Sequence, residues 1–198
     1  MTGLRRDLTT GAIAIVAMTL ALGLLYPLAI TGIAQVVFPG AANGSKVSYD
    51  GRVVGSKLIG QDFKSRAFFH SRPSATEYSG NVTFFGNGGP NSVEVREEVR
   101  EALAAYVKLN KPYDKSLTGE DVPVDAVTQS ASGVDPHISE ANARIQAHRV
   151  AAVRKLPLHR VEELISGHTE DRFLGVLGEP GVNVLQLNIA LEEEAPLK

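Results

Sequence analysis

Four histidines, His137, His148, His159 and His168, recur at intervals of 11, 11 and 9 residues, a ladder that invites a metal reading. Imidazole is a zinc ligand, and eleven residues is close to three helical turns, so the rings of one unbroken helix would stack on a single face. Pro157 falls between His148 and His159 and ends that geometry, because proline removes a helical hydrogen bond. The four rings are therefore read as caps, half-buried polar groups or surface residues, and no metal site is expected. Nucleophilic hydrolysis would need a serine beside a histidine that a carboxylate orients. Serines, histidines and aspartates occur, but without the G-x-S-x-G turn that would expose the nucleophile. A phosphate-cradling G-x-x-x-x-G-K-[ST] loop is missing too. No catalytic residue is expected. One polar pair stands apart, Gln146 and Arg149, which flank His148 and would project from an exposed helical surface.

Any such groups must be positioned around one dominant element. Between Leu8 and Ser45 there is no Asp, Glu, Lys, Arg or His, and residues 11–33 supply 23 mostly apolar positions. A hydrocarbon core about 30 Å thick needs roughly 20 of them. Lipid offers the backbone no hydrogen-bond partner, so the segment is expected to be a transmembrane helix, extending to residue 38 if it tilts. Pro27 should kink it towards its far end. A cleaved signal peptide would have an apolar region about half as long. Arg5 and Arg6 lie close before the span, and Lys46 and Arg52 follow it. The nearer pair puts the N-terminus in the cytoplasm and the rest of the chain outside.

The remainder is enough for one domain. The chain of 198 residues carries a formal charge of −2 and no cysteine. Nucleic acid, which demands a basic face, is excluded as a partner, and disulfides and thiolate metal sites are excluded outright. The expected layout is a tail (1–10), the helix (11–33), a flexible linker (39–46), a folded domain (47–192) and a second tail (193–198). Asp50-Gly51 between Val47-Ser48-Tyr49 and Arg52-Val53-Val54 predicts a hairpin. Residues 60–90 read as loop, with short extended pieces at Phe68-Phe69 and at 82–85 and a turn at Arg72-Pro73-Ser74. A helix is expected over 91–110, capped by Asn91, with Val95, Val99, Leu103, Tyr106 and Val107 inward. A second spans 139–156 with Ile145, His148, Ala152, Val153 and Leu156 inward, and a third 158–166 with Leu158, Val161, Leu164 and Ile165 inward. Leu185, Leu187, Ile189 and Leu191 alternate with polar or small residues and predict a closing strand, partnered by residues 173–177. The fold class is α+β: one N-terminal transmembrane helix and a single mixed soluble domain.

Certain blocks go further. They are Gly55-Ser56-Lys57-Leu58-Ile59-Gly60-Gln61, Phe69-His70-Ser71-Arg72-Pro73-Ser74, Ala131-Ser132-Gly133-Val134-Asp135-Pro136-His137, Gln146-x-x-Arg149-Val150 and Gly178-Glu179-Pro180-x-Val182-Asn183. In this order after one membrane helix, the chain resembles the C subunit of Kdp-type potassium-transporting ATPases, the KdpC family. It departs where Phe84-Phe85-Gly86-Asn87-Gly88-Gly89-Pro90 replaces the family's Ser-Gly-Gly-Ser-Asn-Leu-Gly-Pro-like stretch. The resemblance implies a non-catalytic subunit of the bacterial or archaeal cytoplasmic membrane. It implies three companions: a channel-like potassium-translocating subunit, an ATP-hydrolysing P-type subunit and a small fourth chain. It implies no cofactor beyond ATP met through the hydrolysing subunit, whose ATP affinity the C subunit raises as a catalytic chaperone. Gln146 and Arg149 are its nucleotide-related positions. A tethered extracytoplasmic hydrolase and an anchored sensor or scaffold are the alternatives.

Overall fold

The computed structural model describes residues 2–80, 88–89 and 91–197. The chain forms two compact units, which divide between Lys46 and Val47.

The first unit is helical from Thr2, through the residues expected to form a tail. Helix α1 (Thr2–Leu20) runs through a π-helical turn (Ala21–Leu25) into α2 (Tyr26–Val37). Residues Gly3–Val37 make a span of 35, long and apolar enough to cross a membrane. At 1.5 Å per residue it is about 52 Å long, well beyond the hydrocarbon thickness. The effect of Pro27 takes the form of the π turn. The ring leaves the Gly23 carbonyl without its usual donor, and the preceding turn widens so that the Tyr26 N–H donates to Ala21 O, five residues back. A short turn, α3 (Pro39–Ala42), follows. The Asn43 amide folds back, donating to Gln35 Oε1 at 3.0 Å and to Pro39 O at 2.7 Å, so this exit is tied to the helix end.

In the second unit the hairpin forms as expected. Strands β1 (Lys46–Tyr49) and β2 (Arg52–Ser56) pair, and Asp50 and Gly51 take the two positive φ angles, +49° and +72°, of a primed turn. Helix α4 (Val93–Asn110) follows, with its cap one residue later than expected: the Ser92 hydroxyl, not Asn91, accepts from Val95 N. Two short 3-10 turns, Gly119–Asp121 and Val124–Ala126, lead to β3 (His137–Ile138) and α5 (Glu140–Arg154), which Ser139 caps by accepting from Asn142 N. Helix α5 ends at Lys155, left-handed at φ +58° just before Pro157, and α6 (Leu158–Gly167) begins. Then come β4 (Thr169–Glu170), β5 (Gly181–Asn183) and α7 (Val184–Glu194). The small antiparallel sheet has the order β3-β5-β4, with Val182 between Ile138 and Thr169.

Three expectations are corrected. The closing strand is helix α7. The alternating leucines also place Val184, Leu187 and Leu191 at helical spacing on one buried face, and the Asn183 side chain caps the helix by accepting from Gln186 N. Residues 173–177 form no strand but a tight turn closed by a bridge between Phe173 and Leu177. The inner face of α5 is also rotated from the expected stripe: Ala143, Ala147, Val150 and Ala151 are buried, whereas Ala152 is exposed. The alanines let α5 approach α6, whose Val161 and Ile165 face it in one core with Phe69, Ile138, Val182 and Leu187. Residues 82–85, expected to be extended, lie outside the described residues.

Candidate functional site

The polar residues of α5 form the centre of the domain. Asn142, Gln146 and Arg149 recur at i, i+4 and i+7, one face of the helix, beside the alanines that pack on α6. Arg149 is 0% exposed and Gln146 1%, so the projecting pair expected from the sequence points inward. A buried guanidinium must find acceptors for its donors. Arg149 Nε donates to Asn110 Oδ1 at 3.0 Å, at the end of α4, and Nη2 donates to Gln146 Oε1 at 2.8 Å. Nη1 donates to the carbonyls of Arg66 and Phe68, the latter at 2.9 Å. All of these acceptors are neutral, and burial pulls the guanidinium down to about 10, which leaves it charged at neutral pH.

What this network holds is the irregular chain from Arg66 to Ser71. Gln146 donates from Nε2 to His70 O at 3.0 Å and accepts His70 N–H at Oε1 at 2.7 Å. One residue earlier, on α7, Asn188 donates to Phe69 O at 2.9 Å and accepts Phe69 N–H at 2.8 Å. Each amide thus satisfies both backbone groups of one residue, as a neighbouring strand would. Arg154 adds a bond from Nε to Ala67 O at 2.7 Å and lies with its guanidinium carbon 4.7 Å from the centre of the Phe68 ring. Asn183, while capping α7, donates to Lys57 O at 2.7 Å. The extended pieces expected near Phe68-Phe69 are real in this sense: the partners are side chains rather than strands.

The network continues outward. The Tyr106 hydroxyl donates to Asn142 Oδ1 at 2.8 Å, and burial raises the phenol well above its usual range. Asn142 Nδ2 and the Ser139 hydroxyl both donate to the Asp125 carboxylate, at 2.9 and 2.7 Å. Next along the chain, Arg72 pairs with Asp135 at 3.0 Å, and the Ser74 hydroxyl donates to Gly133 O at 2.6 Å. Gly133 sits at φ +68°, and a β-carbon there would lie 2.6 Å from the Thr76 hydroxyl, so only glycine fits. Gly60 N donates to Val134 O at 2.8 Å, and a β-carbon on Gly60 would strike the Asp135 carbonyl. The blocks singled out in the sequence are far apart along the chain, yet they touch one another here.

Above the loop lies a cleft of about 380 Å³, bounded by His70, Ser71, Tyr78, Tyr106, Asn142 and Gln146 among others. Its histidine and tyrosines are committed to backbone and amide partners. His70 Nε2 lies 2.9 Å from Ser65 O, and since a carbonyl only accepts, the proton is on Nε2. Burial, with the Arg149 charge second, lowers the pKa of His70, so the ring is neutral at pH 7. Tyr78 donates to the Arg72 carbonyl, and burial pushes its phenol up to about 12. His168 Nδ1 likewise meets a backbone carbonyl, that of Leu164. Among the described residues no group of three His, Asp or Glu side chains converges on a metal position.

Residues 8–193 match the family described as "KdpC: K+-transporting ATPase, c chain". The chain belongs to the KdpC family. Relatives named "Potassium-transporting ATPase KdpC subunit" are 46% identical in Rhodospirillum rubrum, covering 97% of this chain and 98% of that one. In Streptomyces coelicolor the identity is 42%, over 98% and 95%. In Mycobacterium bovis it is 44%, over 96% and 99%. The resemblance read from the sequence is thereby established at the family level.

The sequence names Gln146 and Arg149 but not their burial, and it assigns no structural role to Asn110, Asn142, Asn183 or Asn188. A signal was present. Asn142, Gln146 and Arg149 run along α5 immediately beside Ala143, Ala147 and Val150, a seam of small and amide residues that suits close packing better than open water.

Proposed function

We propose that this chain is a non-catalytic, membrane-anchored subunit of a potassium-transporting ATPase complex. The family match over residues 8–193 carries the reading. Its companions are a channel-like potassium-translocating subunit, a P-type subunit that hydrolyses ATP and a small fourth chain. The anchor lies in the cytoplasmic membrane with Arg5 and Arg6 inside and the domain outside, on the side from which potassium is taken up. The chain holds the complex together and raises the ATP affinity of the hydrolysing subunit.

In that orientation ATP and the domain are on opposite sides of the bilayer. The effect on affinity is then a linkage: the domain binds one conformation of the pump better than another, and that conformation binds ATP better. Gln146 and Arg149 are positioning residues in this scheme. They fix the backbone of residues 66–71, and the complete burial of Arg149 argues against contact with nucleotide.

The test is potassium-stimulated ATP hydrolysis by the complex purified with and without this chain. The Michaelis constant for ATP is expected to rise severalfold, or the complex to fall apart, without it. Unchanged kinetics in an intact remainder would refute the reading.

A further inference from the structure

Between β4 and β5 the chain makes a closed turn whose side chains face water. Phe173 is 70% exposed, Leu174 78%, Val176 72% and Leu177 57%. The turn is nonetheless well built. Phe173 N donates to Leu177 O at 2.8 Å, Leu177 N returns to Phe173 O at 3.0 Å, and Gly175 N donates to Arg172 O at 2.9 Å. Leu174 adopts φ +54° and Gly175 +76°. A bulky side chain is unusual in the left-handed region, where glycine or asparagine sits more easily. Leu174 thus occupies a backbone position that disfavours it and buries little of its surface within the fold. Neither folding nor solubility accounts for it, and a contact with another molecule does.

The surroundings say what kind of molecule. Glu170, Asp171 and Glu179 line one cleft together with Phe173 and Leu177, and Arg172 is bound to Glu179 at 2.7 Å. An apolar centre with a polar rim is the anatomy of a protein interface. An acidic rim fits a basic one opposite it and is repelled by anionic lipid headgroups. We propose that the Phe173–Leu177 turn is the knob by which this domain docks on a companion subunit of its transport complex, entering an apolar socket edged by basic side chains. The inference rests on the subunit role proposed above. The closed turn means that the knob is shaped before it binds, which lowers the entropy lost on docking.

The test uses the complex purified in mild detergent from its own membranes. Leu174→Asp combined with Val176→Asp should lower retention of the chain through the purification by about tenfold. Leu174→Asn should also weaken retention while leaving the fold as stable as before or more so, a combination that simple misfolding would not give. A photoreactive benzoylphenylalanine at position 176 should cross-link to a companion subunit. Retention equal to that of the unmodified chain would overturn the proposal, as would cross-links confined to lipid or to a second copy. If the unmodified chain is itself not retained with any companion, the subunit role falls and the docking knob falls with it.

Discussion

Two regions of the domain invert the ordinary rule of solvent exposure, in opposite senses. Around α5 the interior holds an arginine and a chain of amides, Asn110, Asn142, Gln146, Asn183 and Asn188, all buried. At the turn between β4 and β5 the surface carries Phe173, Leu174, Val176 and Leu177, all exposed. The first inversion is explained within the fold. Each buried amide has specific partners, and together they dictate one path for residues 66–71, which hydrophobic packing alone, being non-directional, would leave free to slide. The second has no internal explanation. The difference separates residues held for the fold from residues held for something outside it.

That contrast can be broken at several points, beginning with the largest effect. Arg149→Met would orphan Asn110 Oδ1 and two loop carbonyls and leave Gln146 Oε1 with only the His70 N–H, and should cost about 3–5 kcal/mol. The measurement is a urea titration of the full chain in mild detergent, followed by the near-ultraviolet dichroism of its tyrosines. A loss below about 1 kcal/mol would mean that the polar centre is not structural. Asn188→Ala unpairs both backbone groups of Phe69 and should cost about 2–3 kcal/mol by the same titration.

A smaller effect concerns pH. His70 has its pKa lowered in the folded state, so below the ordinary histidine value the unfolded chain binds the proton more readily. Its stabilising contribution is present above about pH 6.5 and is lost as pH falls towards the lowered value. Stability should therefore drop between pH 7 and pH 5, and His70→Gln should flatten that part of the profile. Smallest, and opposite in sign, is Leu174→Asn. Relief of the left-handed backbone should raise stability by about 0.5–1 kcal/mol. A clear loss there would show that Leu174 serves the fold after all, and the two regions would no longer differ in kind.

Much of the architecture could be read from local pattern. The uncharged run from Leu8 to Ser45 allows only a membrane helix or a buried one, Asp50-Gly51 specifies a primed turn, and α4 and α6 show apolar residues at helical spacing. The misreadings have separate causes. Leu185, Leu187, Ile189 and Leu191 satisfy a period of two, while Val184, Leu187 and Leu191 satisfy the helical period in the same segment. The arbiter was Asn183, whose capping role is visible only once the sheet has placed it. On α5 the buried face is made of alanines and amides, so a search for large apolar residues lands on the wrong side. The pairing of Asn188 with Phe69 spans 119 residues, and no local pattern could announce it.

That span also sets an order of events during biosynthesis. At about 5–20 residues per second, the 119 residues separating Phe69 from Asn188 take roughly 6–24 s to make. The lipid-soluble segment is by then long since synthesised, while the Phe69 backbone still lacks the Asn188 amide that pairs its N–H and its carbonyl. The nascent polypeptide can thus be secured in the bilayer well before its domain closes, and α7, which is translated after the other described helices, is the one that locks it.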